Sequence, residues 1–248
     1  MIDPEAVFVV TATYNEATNV PELHRRLRAA VPQARWVVID DSSPDGTADV
    51  ALGLAASDPR VTVIERLGHR GYASAHREGL RYALDHGAGA IVTLDADLSH
   101  DPASIPAMLQ ALAEHDVVIG SRYAPGGRFA GVSAFRRMLS AFASAYVRAI
   151  LGLSARDCTS GFRAYRPGIV QASGMLQDGP EGYAFLTEAL YLCVLSGARI
   201  SEVPITYAAR GTGESKMSVR IMFESAWRTW AVRLGRRQFR PHGRSEPR

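Results

Sequence analysis

Residues 90–102 read AIVTLDADLSHDP, and they contain the sharpest change of character in the chain, from an apolar segment to an acidic loop. Residues 91–94 are apolar or β-branched and follow two glycines, which predicts a short buried strand rather than a helix. Asp95 and Asp97 come directly after this strand, where side chains face the crevice in which open α/β sheets bind ligands. Their oxygens suit a hard cation such as Mg²⁺. Taken alone, the motif is more typical of a turn whose acids cap the next helix, and it is the rest of the chain that favours the ligand site.

Other predicted strands are also followed by polar side chains. Short apolar segments alternate with helices of about 10–15 residues, which indicates a mainly parallel sheet with helices on both faces. The predicted strands cover residues 6–12, 36–39, 61–65, 91–94 and 116–120. The polar side chains that follow them are Tyr14, Glu16, Asp41, Asp95, Asp97 and Arg122. Because the carboxyl ends of parallel strands meet at one edge of a sheet, we expect a single ligand crevice there.

Basic side chains from a later loop, RGTGESK at residues 210–216, complement these acids. The combination suits a nucleoside diphosphate that is bound through a cation. The carboxylates fix the cation, the cation bridges the diphosphate, and Arg210 and Lys216 neutralise the remaining charge. Asp41 is placed to hydrogen-bond a base or a ribose, and Tyr14 can pack on the ring. If the diphosphate is a leaving group, the same cations stabilise the charge that develops on it.

Length and composition predict a globular protein with a sizeable core. The 248 residues are 47% hydrophobic and 21% charged, with a formal net charge of +3. A chain of this length buries roughly 70–75% of its unfolded surface. The two cysteines, Cys158 and Cys193, are too few for a disulfide framework or a zinc site. Since the body lacks basic patches interleaved with stacking aromatics, we expect no nucleic acid partner.

The sequence also predicts where in the cell the protein is located. No apolar segment approaches the ~18–20 residues that cross a bilayer. The first residues, MIDPEAVFVV, lack the basic and long apolar regions of a signal peptide. We therefore expect a cytoplasmic protein that contacts the cytosolic face of a membrane only peripherally.

Two amphipathic segments in the second half are candidates for that contact. Apolar side chains recur every three or four residues over residues 138–153, which fits an ordinary core helix and an interfacial helix equally well. A second helix is predicted over residues 218–239, where Trp227, Trp230 and a surplus of arginine favour an anionic membrane surface. Dimerisation through this face is the alternative. Residues 240–248 are polar, and we expect them to be disordered.

Two local patterns predict further details of the fold. The run Asn19-Val20-Pro21-Glu22 is typical of a capping box that opens a helix. Residues 200–207 predict a strand, and Pro204 places it near the edge of the sheet because proline cannot donate to a ladder of hydrogen bonds.

Seven motifs follow one another along the chain: ATYNE, DDSSPDGT, LDADLSHDP, GSRY, DCTSGFRAY, GYAFLTE and RGTGESK. In this order they resemble the dolichol- or polyprenol-phosphate mannosyltransferases, which are inverting family 2 glycosyltransferases. The resemblance covers residues 7–216 and implies the GT-A fold, an α/β architecture with a Rossmann-like, mainly parallel sheet flanked by helices. It implies a catalytic domain over residues 1–217, with the nucleotide-sugar half at 1–123 and the acceptor half at 124–217. The implied reaction transfers mannose from GDP-mannose to a polyprenyl monophosphate, with Mg²⁺ or Mn²⁺ as cofactor.

The resemblance also assigns roles to residues at matching positions. The implied donor contacts are Ala12, Tyr14, Glu16, Ile39, Asp41, Asp95, Ala96, Asp97, Arg122, Arg210 and Lys216. Asp97 would bind the metal, with Ser99 as a second ligand. The implied catalytic residues, which position and neutralise charge, are Asp97, Arg122, Arg210 and Lys216. Arg136 and Ser140 would hold the acceptor phosphate, and their spacing of four places them on one face of a helix.

The implied acceptor simplifies the mechanism. A phosphate monoester has a second pKa near ~6, so it arrives as an anion and needs no general base. The alternatives are another donor such as UDP-glucose, another acceptor, or a non-catalytic nucleotide-sugar-binding protein, and a membrane-anchoring partner protein stays open. Three positions depart from the usual family pattern: Ala12 replaces a proline, Leu186 replaces a glutamine, and GYASA at 71–75 replaces G-L-G-x-A.

Overall fold

The computed structural model describes residues 2–68, 70–177, 179, 182, 184–209 and 219–235, and of residues 219–226 it describes only the backbone. The strands are β1 Val7–Thr13, β2 Arg35–Asp40, β3 Val61–Glu65, β4 Ala90–Thr93, β5 Val117–Ser121, β6 Arg128–Ala130, β7 Arg163–Tyr165, β8 Ile200–Pro204 and β9 Thr206–Ala208. The helices are α1 Val20–Ala30, α2 Thr47–Ser57, α3 Tyr72–Asp85, α4 Ile105–Ala111, α5 Ala134–Leu151, α6 Pro167–Ala172, α7 Ala184–Leu195 and α8 Val219–Gly235.

The central sheet has seven strands in the order β3-β2-β1-β4-β7-β5-β8. All neighbouring pairs are parallel except those that β7 makes with β4 and β5. The chain runs outward from β1 to β3 and then returns to place β4 on the other side of β1, so the strand order reverses between β1 and β4. The prediction of a mainly parallel α/β sheet is confirmed.

Both faces of the sheet are buried, as the continuous apolar strands predict. In β1, Phe8 and Val10 point into one hydrophobic cluster, while Val7 and Val9 point into the other. Helix α3 can lie close to β1 because it carries Gly79, where an added Cβ would be only 2.3 Å from Cγ1 of Val10. The close approach of α3 brings its first residues to the edge of the sheet.

The second half departs from the prediction in two places. Residues 200–207 form two strands rather than one, because the chain leaves β8 at Pro204 and pairs with β6 as β9. This second sheet is a parallel pair in which Phe129 lies opposite Tyr207. The edge position of the strand with Pro204 is confirmed, since β8 ends the order of the large sheet.

Helix α5 buries a different face from the one that its apolar spacing suggests. Ser144, Val147 and Leu151 are buried, whereas Met138 and Phe142 are 64% and 68% exposed. The core-helix interpretation is therefore wrong for the first half of α5. Within the described residues, no helix combines the length and the apolar composition that crossing a bilayer requires.

Candidate active site

A cleft of about 230 Å³ opens at the carboxyl ends of β1, β2 and β4, where the strand order reverses. Ligands of open α/β sheets bind at such a position. The cleft is lined by Ala12, Thr13, Tyr14, Glu16, Asp41, Arg70, Gly71, Tyr72, Asp95, Ala96 and Asp97. Among the predicted donor contacts, the structure brings together Ala12, Tyr14, Glu16, Asp41, Asp95, Ala96 and Asp97.

Three loops at the cleft each contain one residue other than glycine with a left-handed backbone. Asn15 follows β1 with a φ of 60°, Ser42 follows β2 with a φ of 53°, and Leu98 follows β4 with a φ of 61°. Residues with a side chain rarely adopt this conformation, and it persists only where the surroundings fix it. These sharp turns keep the polar side chains of each loop at the edge of the sheet.

The two aspartates after the apolar part of β2 have different tasks. Asp40 is fully buried and accepts hydrogen bonds from the backbone N–H and the hydroxyl of Ser43, at 2.9 and 2.6 Å, which fixes the turn. Asp41 lines the cleft, and its carboxylate accepts one bond from Arg66 and one from the backbone N–H of Gly71, both at 2.8 Å. A carboxylate has about four acceptor positions, so Asp41 can hold this loop and still face a ligand.

Glu16 is fixed by the turn that precedes α1. Its carboxylate accepts a bond from Nδ2 of Asn19 at 2.7 Å. The predicted capping box is wrong, because Asn19 has helical backbone angles and makes no side-chain cap, while Glu22 pairs with arginines of its own helix. The turn is already helical before α1, since the backbone N–H of Val20 donates to the carbonyl of Glu16 at 3.0 Å.

The two aspartates after β4 are held by different neighbours. Asp97 is buried, and its Oδ1 accepts a bond from the backbone N–H of Ser99 at 3.0 Å. The side chain of Asp95 is 29% exposed, and its Oδ1 accepts a bond from the hydroxyl of Tyr72 at 3.1 Å. Nδ1 of His100 lies 3.8 Å from Oδ2 of Asp95. Burial lowers the pKa of His100, which favours a neutral ring beside the two carboxylates.

The same loop carries the oxygen atoms that could bind a cation. The hydroxyl of Ser99 is buried and has no hydrogen-bond partner among the described residues. Over those residues, no three side chains of His, Cys, Asp or Glu cluster as a metal site would require. The available ligands are thus the carboxylates of Asp95 and Asp97 and one hydroxyl. They fit Mg²⁺ or Mn²⁺, because these ions complete their coordination with phosphate oxygens and water.

Arg122 is held in a buried ion pair rather than lining the cleft. Its Nε and Nη2 donate to the two oxygens of Asp157 at 2.8 and 2.7 Å, and Nη2 also donates to the hydroxyl of Thr159 at 2.8 Å. Burial opposes the ionisation of Asp157, but the hydrogen bonds from Arg122 outweigh it and lower the pKa of that carboxyl. The rings of Tyr123 and Tyr207 lie 5.4 and 5.3 Å from Cζ of Arg122. Its contact with a donor stays a prediction.

The other predicted site residues are not part of the cleft. Ile39 is fully buried in β2, where it packs in the core. Arg136 and Ser140 lie on α5, the first exposed and the second half-buried, and their role toward an acceptor stays a prediction. Arg210 and Lys216 lie outside the described residues.

Four residues of the lining were not among the predicted site residues: Thr13, Arg70, Gly71 and Tyr72. Cζ of Arg70 lies 4.6 Å from the ring centre of Tyr14, so a cation and an aromatic face meet in the cleft. The signal that could have found Arg70, Gly71 and Tyr72 is their position, because their loop follows β3 as the other site loops follow their strands.

Comparisons with known proteins agree with this geometry. A model of glycosyl transferase family 2 matches residues 8–174. The chain is 42% identical over 219 residues to the undecaprenyl-phosphate mannosyltransferase of Micrococcus luteus, covering 88% of this chain and 90% of that protein. It is 36% identical over 233 residues to the polyprenol monophosphomannose synthase of Mycolicibacterium smegmatis, covering 92% of this chain and 88% of that protein.

A solved structure shares the fold. It is the glucosyl-3-phosphoglycerate synthase of Mycobacterium tuberculosis in complex with Mn²⁺, uridine diphosphate and phosphoglyceric acid, with a TM-score of 0.65 at 17% identity over 96% of this chain and 80% of that chain. The predicted GT-A architecture is confirmed. From the family match and the two close relatives, the chain belongs to glycosyl transferase family 2.

Proposed function

We propose that this protein transfers mannose from GDP-mannose to a polyprenyl monophosphate, with inversion at the sugar and with Mg²⁺ or Mn²⁺ bound. The observation that carries the proposal is a cleft at the reversal of strand order that holds the carboxylates of Asp95 and Asp97 beside the buried hydroxyl of Ser99. The similarity to an undecaprenyl-phosphate mannosyltransferase supports mannose and a polyprenyl phosphate as the two substrate classes.

The metal would be held at the loop after β4. Asp97 and Ser99 supply a carboxylate and a hydroxyl that are both buried, and Asp95 supplies a more exposed carboxylate. A bound cation supplies positive charge to the diphosphate of the donor and stabilises it as a leaving group. The protein contributes ligands whose positions are fixed before the donor arrives, which lowers the cost of reorganisation.

The nucleoside would occupy the side of the cleft formed by the loops after β1 and β2. Asp41 offers carboxylate oxygens to a base or a ribose, and Tyr14 offers a ring face. Arg70 stacks on that ring and places a guanidinium beside the phosphates. Arg210 and Lys216 complete the neutralisation of the diphosphate in this proposal.

The acceptor would approach from α5. Arg136 and Ser140 are four residues apart on this helix, so both can contact one phosphate. The phosphate oxygen forms the new bond to the anomeric carbon while the bond from that carbon to the diphosphate breaks. Because the acceptor is already an anion, the chain needs to supply positioning and positive charge rather than a base.

The lipid tail of such an acceptor requires a membrane surface. Large exposed apolar side chains lie on two helices that pack against each other, α5 and α8. They are Phe135, Met138, Phe142, Trp227, Trp230 and Leu234. Arg136 and Arg137 lie among them, and each basic residue near an anionic surface contributes about 1 kcal/mol. We therefore propose peripheral binding at the cytosolic face.

The test is a transfer assay with the purified full chain. The chain is incubated with undecaprenyl phosphate and with either GDP-[¹⁴C]mannose or UDP-[¹⁴C]glucose, in the presence of Mn²⁺ or of EDTA, and labelled lipid is extracted. We expect labelled lipid from GDP-mannose with Mn²⁺ and a loss of at least about 100-fold with EDTA. If labelled lipid forms only from UDP-glucose, GDP-mannose is not the donor. If no labelled lipid forms with either nucleotide sugar, the proposed transferase activity is wrong.

A further inference from the structure

Tyr72 is the first residue of α3, and its side chain reaches back into the cleft. Its hydroxyl donates to Oδ1 of Asp95 at 3.1 Å, and its ring lies 4.2 Å from the ring of His76, one turn further along the helix. His76 is buried, and its Nδ1 lies 2.7 Å from the carbonyl oxygen of Tyr72. The tyrosine ring is therefore fixed from its own helix, and its hydroxyl has a defined position at Asp95.

The backbone at Gly161 lies beside the contact between Tyr72 and Asp95. An added Cβ at Gly161 would lie 3.0 Å from the hydroxyl of Tyr72 and 3.3 Å from Oδ1 of Asp95, so the backbone passes directly beside both groups. The carbonyl of Gly161 accepts a bond from the hydroxyl of Thr93 at 2.8 Å, which ties this backbone to β4. The hydroxyl of Tyr72, the carboxylate of Asp95 and the backbone of Gly161 are thus neighbours, and a side chain at position 161 would crowd the hydrogen bond.

The hydrogen bonds described for the two aspartates of the motif come from different parts of the chain. Asp97 is buried and is oriented by a turn within its own loop, through the backbone N–H of Ser99. Asp95 is more exposed, and the one side-chain hydrogen bond described for it comes from Tyr72, which is distant in sequence. Partners that orient a ligating carboxylate affect metal affinity by about 10- to 100-fold.

We propose that Tyr72 is a positioning residue that holds Asp95 ready to take a divalent cation together with the diphosphate of the donor. The proposal rests on the proposed function for the identity of the ligand. It assigns to Gly161 the role of leaving room for this contact.

The test measures Mn²⁺ binding by the loss of the free-ion electron paramagnetic resonance signal as the full chain is added to a mixture of Mn²⁺ and GDP. Mn²⁺ with GDP alone supplies the baseline, because the nucleotide itself binds the ion. Tyr72→Phe keeps the ring and removes only the hydroxyl. We expect it to weaken Mn²⁺ binding in the presence of GDP by about 10-fold or more, while the melting temperature stays within about 2 °C. Tyr82→Phe is the matched control, because Tyr82 lies on the same helix with its hydroxyl 3.4 Å from Thr62. We expect it to bind Mn²⁺ like the wild type.

A second variant tests the geometry. Gly161→Ala places a methyl group against the hydroxyl of Tyr72, and we expect it to weaken Mn²⁺ binding without adding to the effect of Tyr72→Phe in the double variant. Unchanged Mn²⁺ affinity in Tyr72→Phe overturns the proposal even if mannose transfer is found. Conversely, weakened Mn²⁺ affinity in Tyr72→Phe supports it even if the wild type forms no mannosyl lipid, which would contradict only the proposed function.

Discussion

The cleft and the surface of α5 and α8 differ in how their side chains are held. In the cleft, the carboxylates of Asp41 and Asp97 are buried and accept hydrogen bonds from nearby main-chain or side-chain groups. On the helical surface, Met138 and Phe142 are about two-thirds exposed. A small charged ligand requires fixed polar contacts, whereas a lipid chain requires only apolar area. Under the proposed function, the donor would therefore be selected in the cleft, and the membrane would be bound at a separate surface.

Arg122 links the two regions. Toward α5, it donates to the hydroxyl of Thr159, which lies 3.2 Å from the hydroxyl of Ser144. Toward the cleft, its guanidinium lies near the ring of Tyr207 in β9, and the backbone N–H of Ala208 in the same strand donates to the carbonyl of Ser99 at 3.0 Å. A change at Arg122 or Asp157 should therefore disturb both regions, while changes elsewhere should affect only one.

Asp157→Asn is expected to have the largest effect on stability. It removes the counter-charge of a guanidinium that is only 11% exposed, and breaking such a buried pair costs about 3–5 kcal/mol. Asp116→Asn is the matched control, because its partner Arg199 is 61% exposed and such pairs contribute less than about 1 kcal/mol. Urea denaturation measures the free energy of unfolding of both variants and of the wild type.

The pH dependence of this effect has a definite sign. The lowered pKa of Asp157 means that its ionised form stabilises the fold above the unfolded value of about 4, and that this stabilisation is lost as the pH falls through the folded pKa. The difference between wild type and Asp157→Asn should shrink below about pH 4. A difference that stays constant with pH would contradict the ion-pair interpretation.

Asp97→Asn is expected to reduce transfer by at least about 100-fold with little change in fold. Asparagine retains an oxygen that can accept the bond from the backbone N–H of Ser99, so only the charge is lost. Asp101→Asn is the control in the same loop, because Asp101 caps a turn through the N–H of Ala103 and asparagine is an equally good cap. Equal activity of the two variants in the transfer assay would place the cation elsewhere.

The sequence predicts the acidic lining of the cleft better than it predicts the side-chain contacts around it, for a physical reason. Asp41, Asp95 and Asp97 each follow a short apolar strand, so local composition places them at the carboxyl edge of the sheet. Tyr72 reaches the cleft only because Gly79 lets α3 lie against β1, which is a tertiary effect. Likewise, nothing in the motif GSRY shows that Arg122 pairs with Asp157, which is 35 residues away.

The helices show a second limit of sequence patterns. The apolar spacing over residues 138–153 predicts a helix, and α5 is present. It does not determine which face is buried, because Val147 packs inside while Phe142, five residues earlier, is exposed. The choice depends on the neighbouring α8 and on the hydrophobic cluster that Val147 and Leu151 join, and the periodicity of one segment contains no information about either.

Gly79→Ala tests how tightly the support of the cleft is packed. On the exposed face of a helix, replacing glycine by alanine stabilises the fold by about 1 kcal/mol. Here the added methyl group would lie 2.3 Å from Cγ1 of Val10, and such overpacking destabilises the fold by about 1–3 kcal/mol. Gly53→Ala in α2 is the matched control, since no atom lies within 4 Å of its added Cβ. In thermal denaturation, we expect Gly79→Ala to lower the melting temperature and Gly53→Ala to raise it. If both variants melt at a higher temperature than the wild type, the close contact between α3 and β1 is contradicted.

The smallest expected effect concerns adhesion to membranes. Phe142→Ser removes an apolar side chain that is 68% exposed, so the free energy of unfolding should change by no more than about 0.5 kcal/mol. Partitioning onto vesicles of anionic phospholipid should nevertheless fall by about fivefold, because part of the apolar area no longer enters the interface. Leu67→Ser is the control, since Leu67 is 77% exposed and belongs to the loop between β3 and α3 rather than to α5 or α8. Because the two substitutions remove similar exposed apolar groups, equal losses in sedimentation with vesicles would mean that adhesion does not depend on the α5 surface, and the separation of the two regions would fail.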